Sequence, residues 1–266
     1  MLIDLEKATA DVKLEAEICI VGAGAAGVAL ARDLMNAGRD VCLLEGGGMD
    51  YDATTQSLFE GRNIGMEYYD LDHSRLRFFG GTTNIWGGRS IPLDPIDFEK
   101  RDWVPHSGWP ITLDDLQKFY RIAHDSLELG EYDYEASNWE KLGLTPLDFD
   151  RQKIRTRFWR FDHLAERFNS KRSEDLVRAQ NVRVVLHANT TGLRAAQNAA
   201  GIDSLSASTM HGRRLEVKAG HFVLACGAIE NARLLLSSND VDKGGIGNQF
   251  DQVGRYFMEH PHGRVA

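Results

Sequence analysis

The hydrophobic positions gather into a few runs separated by polar, glycine-rich stretches. Ile18-Cys19-Ile20-Val21 is a continuous apolar run of strand type, and the segment from Val28 to Met35 continues as a helix that Asn36-Ala37-Gly38 ends. Val41-Cys42-Leu43-Leu44 reads as a second strand, with Glu45 at its end. Strand, helix and strand in this order make a βαβ unit, the building block of a parallel sheet. From Gly46 to about Ser74 no strong period appears, so loops and short helices are expected. Thr112 with Asp115 three residues on has the form of a capping box. Leu116, Phe119, Tyr120, Ala123 and Leu127 then share one face of the predicted helix and are read as core. Asn181 to Leu186 returns to strand pattern. Leu205–Thr209 and Arg214–Lys218, joined by His211-Gly212, make two strands of a β-meander before a further strand at Phe222.

Between the first strand and helix lies Gly22-Ala23-Gly24-Ala25-Ala26-Gly27, a Gly-x-Gly-x-x-Gly turn. Side chains at Gly22 or Gly24 would obstruct a tight turn and the close approach of a pyrophosphate; one at Gly27 would push the helix off the strand. The helix N-terminus offers N–H groups and the positive end of a dipole to phosphates. Glu45 stands at the distance from the glycines, about 20 residues, at which a carboxylate accepts hydrogen bonds from ribose hydroxyls. The same charge repels a 2′-phosphate, which disfavours NADP. The unit therefore reads as a dinucleotide site, with a ligand-free βαβ unit as the alternative.

Composition narrows the picture only slightly. The 266 residues are 42% hydrophobic, and 39 acidic against 31 basic side chains give a formal net charge of -8, which argues against a nucleic-acid role. Cys19, Cys42 and Cys226 sit in or just after apolar strands and read as buried thiols of a reducing compartment. With no signal-peptide pattern at the N-terminus and no uninterrupted apolar span, a cytoplasmic location is expected, with no membrane span and no metal site. Trp103, Trp109, Trp139 and Trp159 are read as packing residues, with a place in a substrate cleft as the alternative.

A second glycine-rich stretch, Arg75-Leu76-Arg77-Phe78-Phe79-Gly80-Gly81-Thr82-Thr83-Asn84-Ile85-Trp86-Gly87-Gly88, can bring main-chain N–H groups against a flat ligand. It resembles the flavin loop of the glucose-methanol-choline (GMC) oxidoreductases. Phe222 to Leu236 is similar to that family's strand, Ala-x-Gly-Ala turn and helix, and Val253-Gly254-Arg255-Tyr256-Phe257-Met258-Glu259-His260-Pro261 is similar to its histidine–proline segment. The resemblance implies an α/β fold: a Rossmann-like FAD-binding domain with a central parallel sheet and β-meander (residues 1–95 and 179–266), interrupted by a mainly helical insertion (96–178) on the substrate side. It implies FAD held by Gly22, Gly24, Ala25, Ala26, Gly27 and Glu45, by Gly81, Thr82, Asn84, Trp86, Gly87 and Gly88 against the flavin and its ribityl chain, and by Thr190, Ala225 and Gly227. Ile85 stands where some members carry a histidine that bonds the flavin covalently, so FAD is expected to be non-covalent.

The implied activity is oxidation of the CH–OH group of an alcohol, sugar or polyol, a histidine base taking the hydroxyl proton while hydride passes to flavin. In the family that histidine, its partner and the last strand of the flavin domain lie near the end of a much longer chain. The C-terminal part of the family fold is therefore expected to be absent here. Either this is the N-terminal half of a larger enzyme, or a short form that meets a second polypeptide. His260 and His262 match the structural segment rather than the catalytic pair, so the catalytic residues stay unassigned. An NAD-dependent oxidoreductase and an inactive nucleotide-binding module are the alternatives.

Overall fold

The computed structural model describes residues 1–145, 147–150, 152–163, 167–198 and 200–260. The chain divides into two compact units, Met1–Asn84 with Phe168–Ala266, and Ile85–Arg167. The first carries β1 (Leu2–Asp4), β2 (Val12–Val21), α1 (Ala25–Asn36), β3 (Val41–Leu44) and α2 (Ala53–Gln56). The second carries β4 (Arg89–Ser90), α3 (Pro95–Phe98), α4 (Leu113–Ser126), α5 (Ser137–Lys141) and β5 (Arg160–Phe161). The chain then returns to the first unit with α6 (Glu174–Arg178), β6 (Val182–Leu186), β7 (Asn189–Ala195), β8 (Ile202–Ser208), β9 (Arg214–Leu224) and α7 (Ala228–Ser237).

One sheet of seven strands, in the order β1-β6-β3-β2-β9-β8-β7, organises the first unit. It is parallel from β1 to β9 and antiparallel through β9, β8 and β7. This is the doubly wound α/β sheet of a Rossmann-like domain with a meander. Both faces are covered, which is why its central strands read as unbroken apolar runs. Ile18 and Ile20 pack with Val28, Ala31 and Leu176 on one face, while Cys19 and Val21 pack with Leu193, Leu205 and Val217 on the other.

Two strands differ from the sequence reading. β2 begins six residues before the apolar run, at Val12, where one face is open and its residues alternate. β9 is continuous from Arg214 to Leu224, so the second meander strand and the strand at Phe222 are one element. It holds its course through Ala219-Gly220-His221 because β2 pairs with it along nearly its whole length. β8 pairs only with Arg214–Val217, and among the described residues no strand lies beside the remainder of β9 on that side.

Among the described residues of the second unit the regular structure is helical apart from the two-residue β4–β5 pair, and the others are in turns and extended loop. α4 has the expected capping box, Thr112 Oγ1 accepting from the Asp115 N–H and Asp115 Oδ2 from the Thr112 N–H. Its inward face is turned from the one expected. Phe119 is 54% exposed, whereas His124 is 2% exposed and hydrogen-bonds through Nδ1 to the Tyr134 hydroxyl and through Nε2 to the Gly130 carbonyl. The imidazole sits inside because both its nitrogens find partners there. Of the four tryptophans read as packing residues, Trp139 lies against Phe158, while Trp103, Trp109 and Trp159 are exposed.

Candidate functional site

At the end of β2 the chain turns at Gly22, whose φ of +101° lies in the left-handed region, and a Cβ there would stand 2.6 Å from the Ala225 carbonyl oxygen. A Cβ on Gly27 would stand 1.9 Å from the Gly22 oxygen, so the helix can lie this close to the strand only with glycine. Gly24 differs from both. Its φ of -77° and ψ of -173° suit any residue, it lines a cavity, and a Cβ there would meet nothing within 4 Å. The first and last glycines thus draw α1 onto the sheet, and the middle one leaves a space in front of the helix. Among the described residues no side chain caps α1, so its first N–H groups and dipole face that space.

The cavity has a volume of about 430 Å³, ordinary for a small-molecule site, and every residue lining it belongs to the first unit. Glu45 is one of them. Its Oε2 accepts the Ala23 N–H at 3.0 Å and its Oε1 the Gly47 N–H at 2.9 Å. The carboxylate therefore ties the glycine turn to the loop after β3, besides presenting an anion to the cavity. Glu45→Gln would set an amide N–H₂ against one of those donors. Hydrogen bonds to a charged group are worth about 1.5–3 kcal/mol. A loss of that order is expected, shared between ligand affinity and stability of the ligand-free protein, and read by titration and thermal unfolding of the same sample. A change in neither would show that Glu45 has no role at this turn.

The second glycine loop is docked on the first. Gly80 N–H donates to the Ala23 carbonyl at 2.8 Å, Gly24 and Gly80 form an isolated parallel bridge, and a Cβ on Gly81 would stand 3.3 Å from Gly24 Cα. Gly81, Thr82 and Thr83 consequently line the same cavity as Gly22, Gly24, Ala25 and Ala26. Asn84 is not in the lining. Its Nδ2 donates to the carbonyls of Phe79 and Gly81 and holds the loop's shape.

Ala225, Cys226 and Gly227 contribute another wall and lead into α7, which also lacks a side-chain cap. The Cys226 thiol donates to the Val21 carbonyl at 3.1 Å, and burial, with Glu45 and Glu230 nearby, pushes its pKa up to about 12. It is an inert thiol and not a nucleophile. Glu230, in the first turn of α7, accepts from Arg75 at 2.9 Å and from Arg233 at 2.7 Å. Burial raises its pKa, but these two charged hydrogen bonds outweigh burial and hold the carboxyl below its ordinary range. Thr190 lines the cavity too, its Oγ1 shielded and without a hydrogen-bond partner among the described residues. Tyr68 and Phe257, in edge contact at 5.5 Å, with Glu259 accepting from the Tyr68 hydroxyl, line the cavity further.

Of the residues singled out from the sequence, Gly22, Gly24, Ala25, Ala26, Glu45, Gly81, Thr82, Thr190, Ala225 and Gly227 converge on this cavity. Gly27 lies behind it as the packing glycine. Trp86, Gly87 and Gly88 belong to the second unit, where a Cβ on Gly88 would stand 2.6 Å from the Asp162 carbonyl oxygen. Pro261 and His262 lie outside the described residues. Sequence reasoning missed Phe59, Tyr68, Thr83, the arginines 75, 77 and 233, and Glu230. The alternation Arg75-Leu76-Arg77 just ahead of a glycine loop was the available signal.

The cavity fits a dinucleotide: anion-receptive N–H groups at the glycine turn, a carboxylate at the end of β3, and a docked loop able to meet a flat ring. Comparison with known proteins agrees. A 6'''-hydroxyparomomycin C oxidase of Streptomyces lividus is 33% identical over 139 residues, 46% of this chain and 24% of that protein. Among solved structures, pyridoxine 4-oxidase from Mesorbium loti is similar at a TM-score of 0.53 and 20% identity, over 84% of this chain and 52% of its own. A formate oxidase variant from Aspergillus oryzae is similar at 0.52 and 15% identity, over 86% of this chain and 48% of its own. The chain thus spans about half the length of the solved structures it matches. The family described as FAD dependent oxidoreductase matches residues 17–243. The chain belongs to this FAD-dependent oxidoreductase family, and FAD is its cofactor.

Proposed function

We propose that this chain is the FAD-binding part of a glucose-methanol-choline-type oxidoreductase that oxidises the CH–OH group of a small alcohol, sugar or polyol. The observation that carries the reading is the docking of the Gly80-Gly81 loop on the Gly22–Gly27 turn through the Ala23 carbonyl, which places both glycine motifs on one cavity. A nicotinamide enzyme needs only the first of these motifs. The oxidase names of the similar proteins, and the resemblance of Phe222–Leu236 and Val253–Pro261 to the family's segments, point the same way.

In this reading Gly24, Ala25 and Ala26 with the α1 N-terminus hold the pyrophosphate, Glu45 the adenosine ribose, and the strand start at Ala188–Thr190 the adenine. Gly81, Thr82 and Thr83 meet the flavin end. Bound flavin supplies two-electron chemistry, accepting a hydride from the substrate carbon. The chain's own part is to bind and orient. The base that takes the hydroxyl proton lies beyond the segments matched here, supplied by the rest of a longer enzyme or by a second polypeptide. Beside β9, the stretch past Val217 would take the family's last strand. The free Cys19 and Cys42, paired across β2 and β3, suit a reducing, cytoplasmic setting.

Binding is non-covalent in this reading. Ile85 offers no nucleophile, and the Cys226 thiol is protonated and spent on Val21. Purified protein should show a flavin absorption spectrum, and denaturation in guanidinium should pass all of the colour to the supernatant once the chain is precipitated. Colour staying with the polypeptide would refute the non-covalent assignment; a colourless protein that takes up nicotinamide dinucleotide instead would refute the flavin reading.

A further inference from the structure

Three arginines line the cavity, and they are not equivalent. Arg75 and Arg233 share the buried carboxylate of Glu230. Arg77 has no carboxylate partner among the described residues. Its Nε and Nη2 donate to one amide oxygen, Asn189 Oδ1, at 3.3 and 2.8 Å, and the Phe59 ring lies 4.9 Å from its guanidinium carbon. Asn189 is itself anchored, its Nδ2 donating to the Ser208 carbonyl at 3.1 Å.

The residues after Glu45 are shaped to this side chain. A Cβ on Gly46 would stand 2.7 Å from Arg77 Nη2, and one on Gly47 would stand 2.1 Å from the Arg77 carbonyl oxygen. Two glycines thus let the arginine lie directly over the segment that follows β3. Arg77 is half-buried, and desolvation holds its guanidinium below the ordinary arginine range, with Glu45 and Glu230 opposing. It still stays a cation across the physiological range. A cation partly removed from water, satisfied by one neutral oxygen and walled by glycine, leaves donors and a flat charged face for a ligand.

We propose that Arg77 is a further cofactor-binding residue, gripping the adenosine diphosphate half of FAD beside the ribose position at Glu45. This rests on the reading of the cavity as the FAD site. Neighbours fix the half: Gly46 and Gly47 directly follow Glu45, and Asn189 precedes Thr190 at the start of β7, the two places assigned above to the ribose and the adenine.

The test is calorimetric titration of the apoprotein with ADP and with FAD at two salt concentrations, for wild type, Arg77→Gln and Arg77→Lys. Arg77→Gln should raise both dissociation constants by the same factor, about tenfold or more, and flatten their salt dependence, because one charged contact is gone. Arg77→Lys should keep the salt dependence and recover part of the affinity. An ADP constant within twofold of wild type overturns the assignment. So does weaker binding with wild-type salt dependence, the mark of a merely loosened cavity. If Arg77→Gln does not fold, Arg77→Lys and Asn189→Ser, which keep the cation but disturb its seat, carry the comparison: both should weaken ADP and FAD equally, and unchanged ADP binding in both overturns it. Wild-type apoprotein that binds neither ADP nor FAD would refute the cavity reading itself. ADP binding lost in Gly24→Val but kept in Arg77→Gln would refute only the role of Arg77.

Discussion

A Gly24→Val protein is expected to fold as the wild type does and to take up no FAD. The backbone at Gly24 has an extended conformation open to any residue, and a Cβ there meets nothing within 4 Å, so the ligand-free fold loses little. The valine methyl groups would instead fill the space in front of α1, where the phosphates reach the uncapped N–H groups. Losing two hydrogen bonds to a charged group, at about 1.5–3 kcal/mol each, lowers affinity at least about a hundredfold. The check is paired: apoprotein melting within a few degrees of wild type, and an FAD titration that no longer saturates. A Gly24→Val protein that holds FAD at wild-type affinity would place the pyrophosphate elsewhere.

Gly27→Ala should do the reverse and injure the fold itself. Its Cβ would fall 1.9 Å from the Gly22 carbonyl oxygen, a backbone atom that no rotamer change can move aside. Overpacking that side chains can absorb costs about 1–3 kcal/mol. Here α1 must leave β2, opening the core that Val28 and Ala31 share with Ile18 and Ile20, so the cost lies at or above the top of that range. Urea unfolding of the apoprotein would show the midpoint fall, and an unchanged midpoint would mean that the helix does not pack against the turn as described. Two glycines three residues apart therefore separate by function, one answering to the ligand and the other to the fold.

The βαβ core was legible because both faces of its sheet are buried, which leaves unbroken apolar runs at Ile18–Val21 and Val41–Leu44, with Gly22 and Gly27 where backbone meets backbone closely. Elements whose order comes from their neighbours were not. β1 is three residues added at an edge by pairing with β6. β7, Asn189–Ala195, is polar and contains Gly192, yet β8 holds it in register. The continuity of β9 and the inward turn of His124 likewise depend on partners far along the chain or across a turn, which no local period records. At the site, the glycines and Glu45 showed themselves through spacing. The Arg75–Glu230–Arg233 cluster joins residues more than a hundred positions apart and became visible only in three dimensions.

The central claim is that the two glycine motifs together form one FAD site. It is tested most directly by equilibrium titration of the wild-type apoprotein, with Gly24→Val alongside, against FAD and NAD. The account expects saturable FAD binding that ADP displaces, no comparable binding of NAD, and neither in the variant; FAD binding that survives in Gly24→Val, or a wild type that prefers NAD, would contradict it.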